Sequence, residues 1–438
     1  MTVRNRSTSP DARSVALDTL TAVEKGKHAD TALRSALEVL ADVRDRGLAM
    51  ELCYGVLRWR LRLDGEILPR LRGKTDARLL NILRLGLYQL RFLERVPAHA
   101  AVHAAVEQTK MIGLKHAAGL VNAVMRGLQR QGEPDWPRDS SPASLALRYA
   151  HPEWLVRRWV SDYGVESTEG LLAADQQIPL HGIRIRRGEA EEAAAWFRAQ
   201  GLSVDTCSVA PACLRVAGGG DSQLWPGVVA GNWVLQDEAA QAMVRLLPPA
   251  DTHLDLCAAP GGKSFLLADR DPDARIYAVD KSERRVAEMR GLRDHLGLEE
   301  RIELVRGDAE SPVAEGRLFP SVLVDAPCSS LGTLRRNPDR KWREPPEPGL
   351  PETQRSILRQ AALQTAPGGH LLYVTCTLWR AENEEVAHAF EAEHGGADGQ
   401  FERVSLPEHP FLTDEGFYQS RPDIHGTDGF FGALWRRR

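Results

Sequence analysis

The chain has 438 residues, of which 43% are apolar and 26% charged, with a formal net charge of −4. That length allows roughly three domains with real cores, and the composition excludes an extended disordered protein. No run of about 18 apolar residues reads as a membrane span, and the polar residues 1–6 lack the apolar stretch of a secretory leader, so a soluble cytoplasmic protein is expected.

Charge is unevenly spread. Residues 1–130 carry 22 Lys and Arg against 13 Asp and Glu, an excess of nine that leaves −13 for the remainder. A basic front half reads as a polyanion-binding module, or as a solvated helical surface with no partner. Six cysteines (Cys53, Cys207, Cys213, Cys257, Cys328 and Cys376) are too scattered for a disulfide framework. Their spacing matches no zinc motif, so no metal is expected, and a reducing compartment would keep them as thiols.

From the start of the chain the periodicity is helical. Ser9-Pro10 reads as an N-cap followed by proline at the first helical position, and Ala12, Val15, Ala16, Thr19, Leu20 and Val23 then share one face. Further helical patterns cover residues 45–60, 77–93, 99–111 and 117–129, so residues 1–135 should form an all-helical domain. The stretch Gln131-Gly132-Glu133-Pro134-Asp135-Trp136-Pro137 breaks the pattern and reads as a linker.

Residues 142–235 are mixed. Helices are expected at 153–163 and 190–200, with a strand at 182–186 and strand-like pieces up to Trp233, which makes a small α+β domain. From 236 to 438 strands and helices alternate, as βαβ units do. Strands are expected at 252–256, 275–279, 302–305, 321–324 and 370–374, and helices from 263 and over 282–296. Pieces at 401–406 and 430–435 could supply a closing antiparallel pair. No long exposed apolar face or coiled coil is visible, and a monomer is the expectation.

After the first of these strands comes Cys257-Ala258-Ala259-Pro260-Gly261-Gly262-Lys263. A phosphate loop would need Gly where Cys257 stands, five residues before Gly262, and Pro260 restricts the backbone between them. The better reading is the first turn of a doubly wound sheet, where two glycines admit a ligand close to the backbone and the next helix offers free N–H groups. Asp280, 19 residues beyond Gly261, is placed to accept from ribose hydroxyls. Asp308 and Asp325 follow the third and fourth strands, so an adenosine-type cofactor is expected, against the blander reading of Asp as turn caps. Cys328 and Cys376 each stand just past a buried apolar strand, and strand ends on one edge of a parallel sheet converge.

Leu254-Asp255-Leu256-Cys257-Ala258-Ala259-Pro260-Gly261-Gly262-Lys263-Ser264, Asp325-Ala326-Pro327-Cys328-Ser329 and Tyr373-Val374-Thr375-Cys376-Thr377 resemble the signature motifs of RNA cytosine-5 methyltransferases. The likeness extends to residues 332–342, to Glu382-Asn383-Glu384-Glu385, to Gln236-Asp237 and to Asp428-Gly429-Phe430-Phe431. Tyr54-Gly55-Val56-Leu57-Arg58 and Val121-Asn122-Ala123-Val124-Met125-Arg126 are similar to the NusB-type RNA-binding fold. Such a domain ahead of such motifs resembles the 16S rRNA small-subunit methyltransferase B, or Sun, group. The resemblance implies a NusB-like domain, a small α+β domain and a Rossmann-like α/β methyltransferase domain. It implies S-adenosylmethionine as cofactor, held by residues 257–263 (Cys257, Ala258, Ala259, Pro260, Gly261, Gly262, Lys263), Asp280, Asp308 and Asp325. It also implies Cys376 as nucleophile, Cys328 as an aid to product release, and as target the cytosine at position 967 in the conventional 16S rRNA numbering.

The chemistry explains why two thiols are useful. Cytosine C5 is a poor nucleophile, and adding a thiolate to C6 makes the ring enamine-like, which splits one hard step into easier ones. Loss of the C5 proton and of the enzyme sulfur follows, helped by a second thiol or a base near it. Asp325, placed beside the ring, would hydrogen-bond N3 or the exocyclic amine. Only the thiolate attacks, so a lowered pKa is expected at Cys376, with Lys263 and Arg335 as the candidate cations. Burial as small hydrophobes is the bland reading of both thiols. Two positions depart from the family pattern: Ser330 stands where Gly is common, and Thr377 where Ser is.

Arg335, Arg336, Arg340, Lys341, Trp342 and Arg343 read as a basic loop whose cations hold phosphates while the indole stacks on an unpaired base, against a solvated charged loop. The target base should be flipped out or unpaired. Beside the rRNA methyltransferase stand two other readings, the same chemistry on tRNA and a non-catalytic RNA-binding assembly factor. The last would have no need of Cys376.

Overall fold

The computed structural model describes residues 10–313, 316–343, 345–346, 348–396 and 399–438. Ser9 and the polar residues 1–6 lie outside them. Two compact units divide the chain: Met1–Ile178 with Leu334–Glu344, and Pro179–Thr333 with Pro345–Arg438.

The first unit is helical: α1 (Ala12–Glu24), α2 (Ala29–Leu37), α3 (Val43–Ile67), α4 (Ala77–Phe92), α5 (Ala98–Met111), α6 (Ala118–Gln131), α7 (Pro142–Arg148), α8 (Glu153–Tyr163) and α9 (Val165–Asp175). Asp11 caps α1, its carboxylate accepting from the Ser14 N–H at 2.8 Å, so Pro10 precedes the cap instead of following it. The sequence reading has no counterpart of α2, whose nine residues bury only Ala29, Leu33 and Leu37. Helices α3 and α4 meet closely at Gly55, where a Cβ would lie 2.1 Å from Tyr88 Cζ. The guanidinium of Arg84 is buried between Asp64 at 2.7 Å and Glu24 at 2.8 Å, as a buried cation requires.

Residues 334–343 belong to this helical unit and correct the reading of a basic RNA-gripping loop. Lys341 is fully buried, its ammonium 3.4 Å from the Arg58 carbonyl and 3.5 Å from that of Ala150. Trp342 donates its indole N–H to the Leu57 carbonyl at 2.6 Å. The Arg335 side chain is buried, and its carbonyl accepts from Arg58 at 2.8 Å. Lys341, Trp342 and Arg335 are thus packing groups of the helical unit, while Arg336 and Arg340 are half-buried. The physical reason is amphipathicity: a long aliphatic stem or an indole buries well once its one polar end finds a carbonyl.

In the second unit, β1 (His181–Ile185), β2 (Ser203–Thr206), β3 (Cys213–Ala217) and β4 (Trp233–Leu235) form an antiparallel sheet in the order β2-β3-β1-β4. Helix α10 (Ala190–Ala199) buries Ala193, Ala194 and Phe197 against Ile183, Leu214 and Val216, and a short helix, α11 (Pro226–Val229), precedes β4. Within the span 142–235, expected as one small α+β domain, α7 packs on α3 and α8 in the first unit and the four-stranded sheet lies in the second. Cys207 and Cys213 are joined as a disulfide, contrary to the expectation of six free thiols. The β2–β3 hairpin brings them together, with the Cys207 N–H donating to the Cys213 carbonyl at 3.0 Å.

The larger sheet follows α12 (Glu238–Val244). In chain order come β5 (Thr252–Leu256), α13 (Gly262–Arg270), β6 (Arg275–Asp280), α14 (Glu283–His295), β7 (Ile302–Arg306), β8 (Phe319–Asp325), α15 (Leu350–Gln364), β9 (Thr365–Thr375), α16 (Glu384–His394), β10 (Phe401–Arg403), β11 (Tyr418–Gln419) and β12 (Phe431–Arg437). Strand order is β10-β12-β9-β8-β5-β6-β7, with β11 also paired to β12. Strands β5 to β9 are parallel, and β10 and β12 are the expected closing antiparallel pieces. Met243, Phe265, Leu267 and Met289 fill one core, and Ile357, Leu358, Val386 and Phe390 fill another. The chain runs from β5 to β6 and β7 on one side, then returns to β8 and β9 on the other. That reversal beside β5 is the switch point at which open α/β sheets hold their ligands.

Candidate active site

The carboxyl ends of β5, β6, β8 and β9 carry the groups expected there. Cys257 follows β5 with φ +64° and turns the chain into the glycine loop, where the Gly261 N–H donates to the Ala258 carbonyl at 2.8 Å. Gly261 has φ +105°, and a Cβ there would lie 2.4 Å from the Phe265 ring, so glycine is required twice over. Helix α13 then begins at Gly262, so its first N–H groups follow directly on the turn after β5.

Asp280, the last residue of β6, is buried; its Oδ1 accepts from the Ser282 N–H at 2.8 Å and pairs with Arg285 at 3.1 Å. Its Oδ2 is buried with no hydrogen-bond partner. An orphaned carboxylate oxygen 19 residues past a glycine turn fits the hydroxyls of a ribose. Asp308 differs from expectation: β7 ends at Arg306, and Asp308 is exposed, its Oδ1 accepting from the Glu310 N–H at 3.1 Å. Beneath the turn, burial pushes the Asp255 carboxyl up to about 7, against the hydrogen bond it receives from Ser264.

Cys328 and Cys376 come together with their sulfurs 3.2 Å apart. Register explains the meeting: Asp325 pairs with Val374 across β8 and β9, so the two following loops leave the sheet side by side. Both turns are pinned from behind. Glu382 Oε2 accepts from the Ser329 N–H and from Gln354 Nε2, each at 2.9 Å. Asn383 donates to the Thr377 carbonyl at 3.0 Å and accepts from the Thr375 hydroxyl at 2.6 Å. Ser329 and Thr377 share a hydroxyl hydrogen bond of 2.7 Å, so Thr377 retains the function of the serine common there. Gly332 leaves no room for a Cβ, which would lie 2.0 Å from the Gly429 carbonyl oxygen, and this locks the Asp428-Gly429 segment against the loop after Cys328.

Cys376 is held below the ordinary thiol pKa, chiefly by its hydrogen bond with Cys328. Burial and the Asp325 charge oppose this, while Ser330 and Lys263 reinforce it. Cys328 goes the other way, driven well above the thiol range by the same hydrogen bond, then by burial and the Cys376 charge. The pair thus ionises once, at Cys376, with the remaining proton on Cys328. Of the two cations expected near Cys376, Lys263 acts on it; the Arg335 side chain is buried. Burial works against the Lys263 charge, but Asp325, 2.7 Å away, together with the Cys376 and Asp255 charges outweighs it. Cys257 is a poor thiolate, raised by burial. The sequence reading leaves out Gln354, notes Ser330 only as a departure from the family pattern, and gives Glu382 and Asn383 no part in the site. The motif Glu382-Asn383-Glu384-Glu385 was the available signal for the last two; Gln354 had none.

The glycine turn, the orphaned Asp280 oxygen and the sheet's switch point fit an adenosine-type cofactor, and the family match of residues 243–436 makes the class an S-adenosylmethionine-dependent methyltransferase. Residues 243–436 match the family 16S rRNA methyltransferase RsmB/F, residues 10–130 the NusB family, and residues 151–223 the ferredoxin-like domain of RsmF/B-like methyltransferases. A probable ribosomal RNA small subunit methyltransferase B from Bacillus subtilis is 35% identical over 97% of this chain and 98% of its own length. Among solved structures, that of PH0851 has a TM-score of 0.82 at 24% identity, covering 98% of this chain and all of that one. NSun6 from Pyrococcus horikoshii, solved with SFG, has a TM-score of 0.57 at 19% identity over 66% of this chain and 99% of its own. The chain belongs to the RsmB/F methyltransferase family, in the small-subunit methyltransferase B, or Sun, group with a NusB-like N-terminal domain. Its cofactor is S-adenosylmethionine, which the turn from Cys257 to Lys263 and Asp280 would hold. Among the described residues no group of three His, Cys, Asp or Glu could hold a metal ion, and no helix is long and apolar enough to cross a membrane.

Proposed function

We propose that the protein methylates C5 of one cytosine of 16S rRNA, position 967 in the conventional numbering, through a covalent bond between Cys376 and cytosine C6. The observation that carries this is the pair of thiols 3.2 Å apart, one favoured as thiolate and the other kept protonated, beside the cofactor edge. The relative's name, a probable ribosomal RNA small subunit methyltransferase B, and the excess of positive charge over residues 1–130 support rRNA as the substrate.

S-adenosylmethionine, when bound, supplies an electrophilic methyl group. Cys376 adds to C6 of an unstacked cytosine, and the ring's electron pair shifts to make C5 a nucleophile. Asp325, oriented by Lys263, accepts from the ring's exocyclic amine. With the methyl group on C5, a solvent water takes the C5 proton as the C6–sulfur bond breaks, which restores the ring double bond and frees Cys376 as thiolate. Cys328, its proton retained, donates a hydrogen bond to that leaving sulfur and so speeds release.

Incubation with labelled S-adenosylmethionine and protein-free 16S rRNA, followed by nuclease digestion and mass spectrometry, tests the proposal. Label on C5 of a single cytosine is expected. No label on 16S rRNA, with label on tRNA in a parallel incubation, would transfer the same chemistry to another substrate, and label that survives Cys376→Ala would sink the covalent route.

A further inference from the structure

Ser330 occupies a backbone position that suits glycine. Its φ is +60°, in the left-handed region where a side chain is unfavourable. The turn demands that conformation: the Thr333 N–H and hydroxyl both donate to the Ser330 carbonyl, at 3.2 and 3.0 Å, and Gly332 is wedged against Gly429. Serine carries a conformational cost here that glycine would not. The hydroxyl lies 3.5 Å from Cys376 Sγ and has no other hydrogen-bond partner among the described residues.

We propose that Ser330 is a further catalytic residue of this chain, its hydroxyl donating a hydrogen bond to the Cys376 thiolate. This rests on the reading of Cys376 as the nucleophile. With the neutral thiol the bond runs from sulfur to Ser330 oxygen. When the sulfur ionises, the serine hydroxyl rotates and donates, a charge-assisted hydrogen bond. The thiolate then has two donors, Ser330 and Cys328. The other charged groups acting on it are Lys263, which favours ionisation, and Asp325, which opposes it. A glycine at 330 would leave one donor and a less ionised nucleophile at neutral pH.

The test is the pH profile of Cys376 alkylation by iodoacetamide, read by mass spectrometry of the Cys376 peptide in wild type, Ser330→Gly and Ser330→Ala. Ser330→Gly removes the hydroxyl while relieving the backbone, so misfolding does not confuse the result. The apparent pKa should rise by about one unit in both variants, lowering the alkylation rate near neutral pH about tenfold. Methyl transfer by Ser330→Gly should fall in the same range and recover as pH is raised. A Ser330→Gly profile that superimposes on wild type would overturn the assignment even if Cys376→Ala is inactive. Methyl transfer that persists in Cys376→Ala would remove the nucleophile reading and the role of Ser330 with it.

Discussion

Lys263 and Asp325 meet at 2.7 Å, one from the first turn of α13 and the other from the end of β8, and they act on Cys376 with opposite signs. The ammonium favours the thiolate and the carboxylate disfavours it. Lys263→Met should raise the apparent pKa of Cys376 alkylation, and Asp325→Asn should lower it. Each shift should be on the order of tenfold in rate near neutral pH. Asp325→Asn should still lose methyl transfer, because the more reactive sulfur then faces a base that is no longer oriented. Shifts of the same sign in both variants would show that the ion pair acts only by holding the loops.

Cys328→Ala should accumulate a covalent complex with RNA. The departing sulfur would lack the thiol that stabilises it as it leaves, so addition would outrun release. A band of retarded enzyme on a denaturing gel, absent from Cys376→Ala and from the double variant, is the expected outcome. Normal turnover by Cys328→Ala with no such band would contradict the release role.

Most of this site was legible because its residues sit at strand ends, where a change of period marks the position. Strand β5 was read to the residue, and Cys257, Asp280, Asp325, Cys328 and Cys376 all fall at the sheet edge as expected. Within the basic stretch 335–343, Arg335, Lys341 and Trp342 were misread for a physical reason. Charge in a sequence says nothing of whether a lysine's ammonium will find backbone carbonyls, and Lys341 finds two. Gln354 was invisible for a related reason: its amide bridges the Pro327 carbonyl and Glu382 across loops far apart in the chain, and no local pattern encodes that. Helix α15, which carries it, was also absent from the sequence reading.

Stability should fall as pH drops through the histidine range. His253 is buried between Ser321 and Asp271, each at 2.8 Å, and burial lowers its pKa below 6.5 despite Asp271. The Ser321 hydroxyl is inaccessible, so the three serve structure and not hydrolysis. In the other unit His151 is lowered well below 6.5, by burial and then by Lys341. Below pH 6.5 the unfolded chain binds protons that the folded chain does not, so the free energy of unfolding decreases as pH falls from there. The urea midpoint should be lower at pH 5.5 than at 7.5, and His253→Gln should shrink the difference. An unchanged midpoint across that interval would mean the two rings are not held neutral.

Asp280 should govern cofactor affinity more than any other side chain at this edge. Its Oδ1 is already saturated by the Ser282 N–H and Arg285, so a ligand competes for nothing there. Its Oδ2 is buried without a partner, and a ribose hydroxyl would satisfy it. A hydrogen bond to a charged acceptor contributes about 1.5–3 kcal/mol, so Asp280→Ala should weaken S-adenosylmethionine binding roughly 10- to 100-fold by calorimetry. Asp308→Ala should change affinity far less, because that carboxylate is exposed and spends one oxygen on the Glu310 N–H. Equal losses in the two variants would place the ribose differently along the edge, nearer β7 than β6.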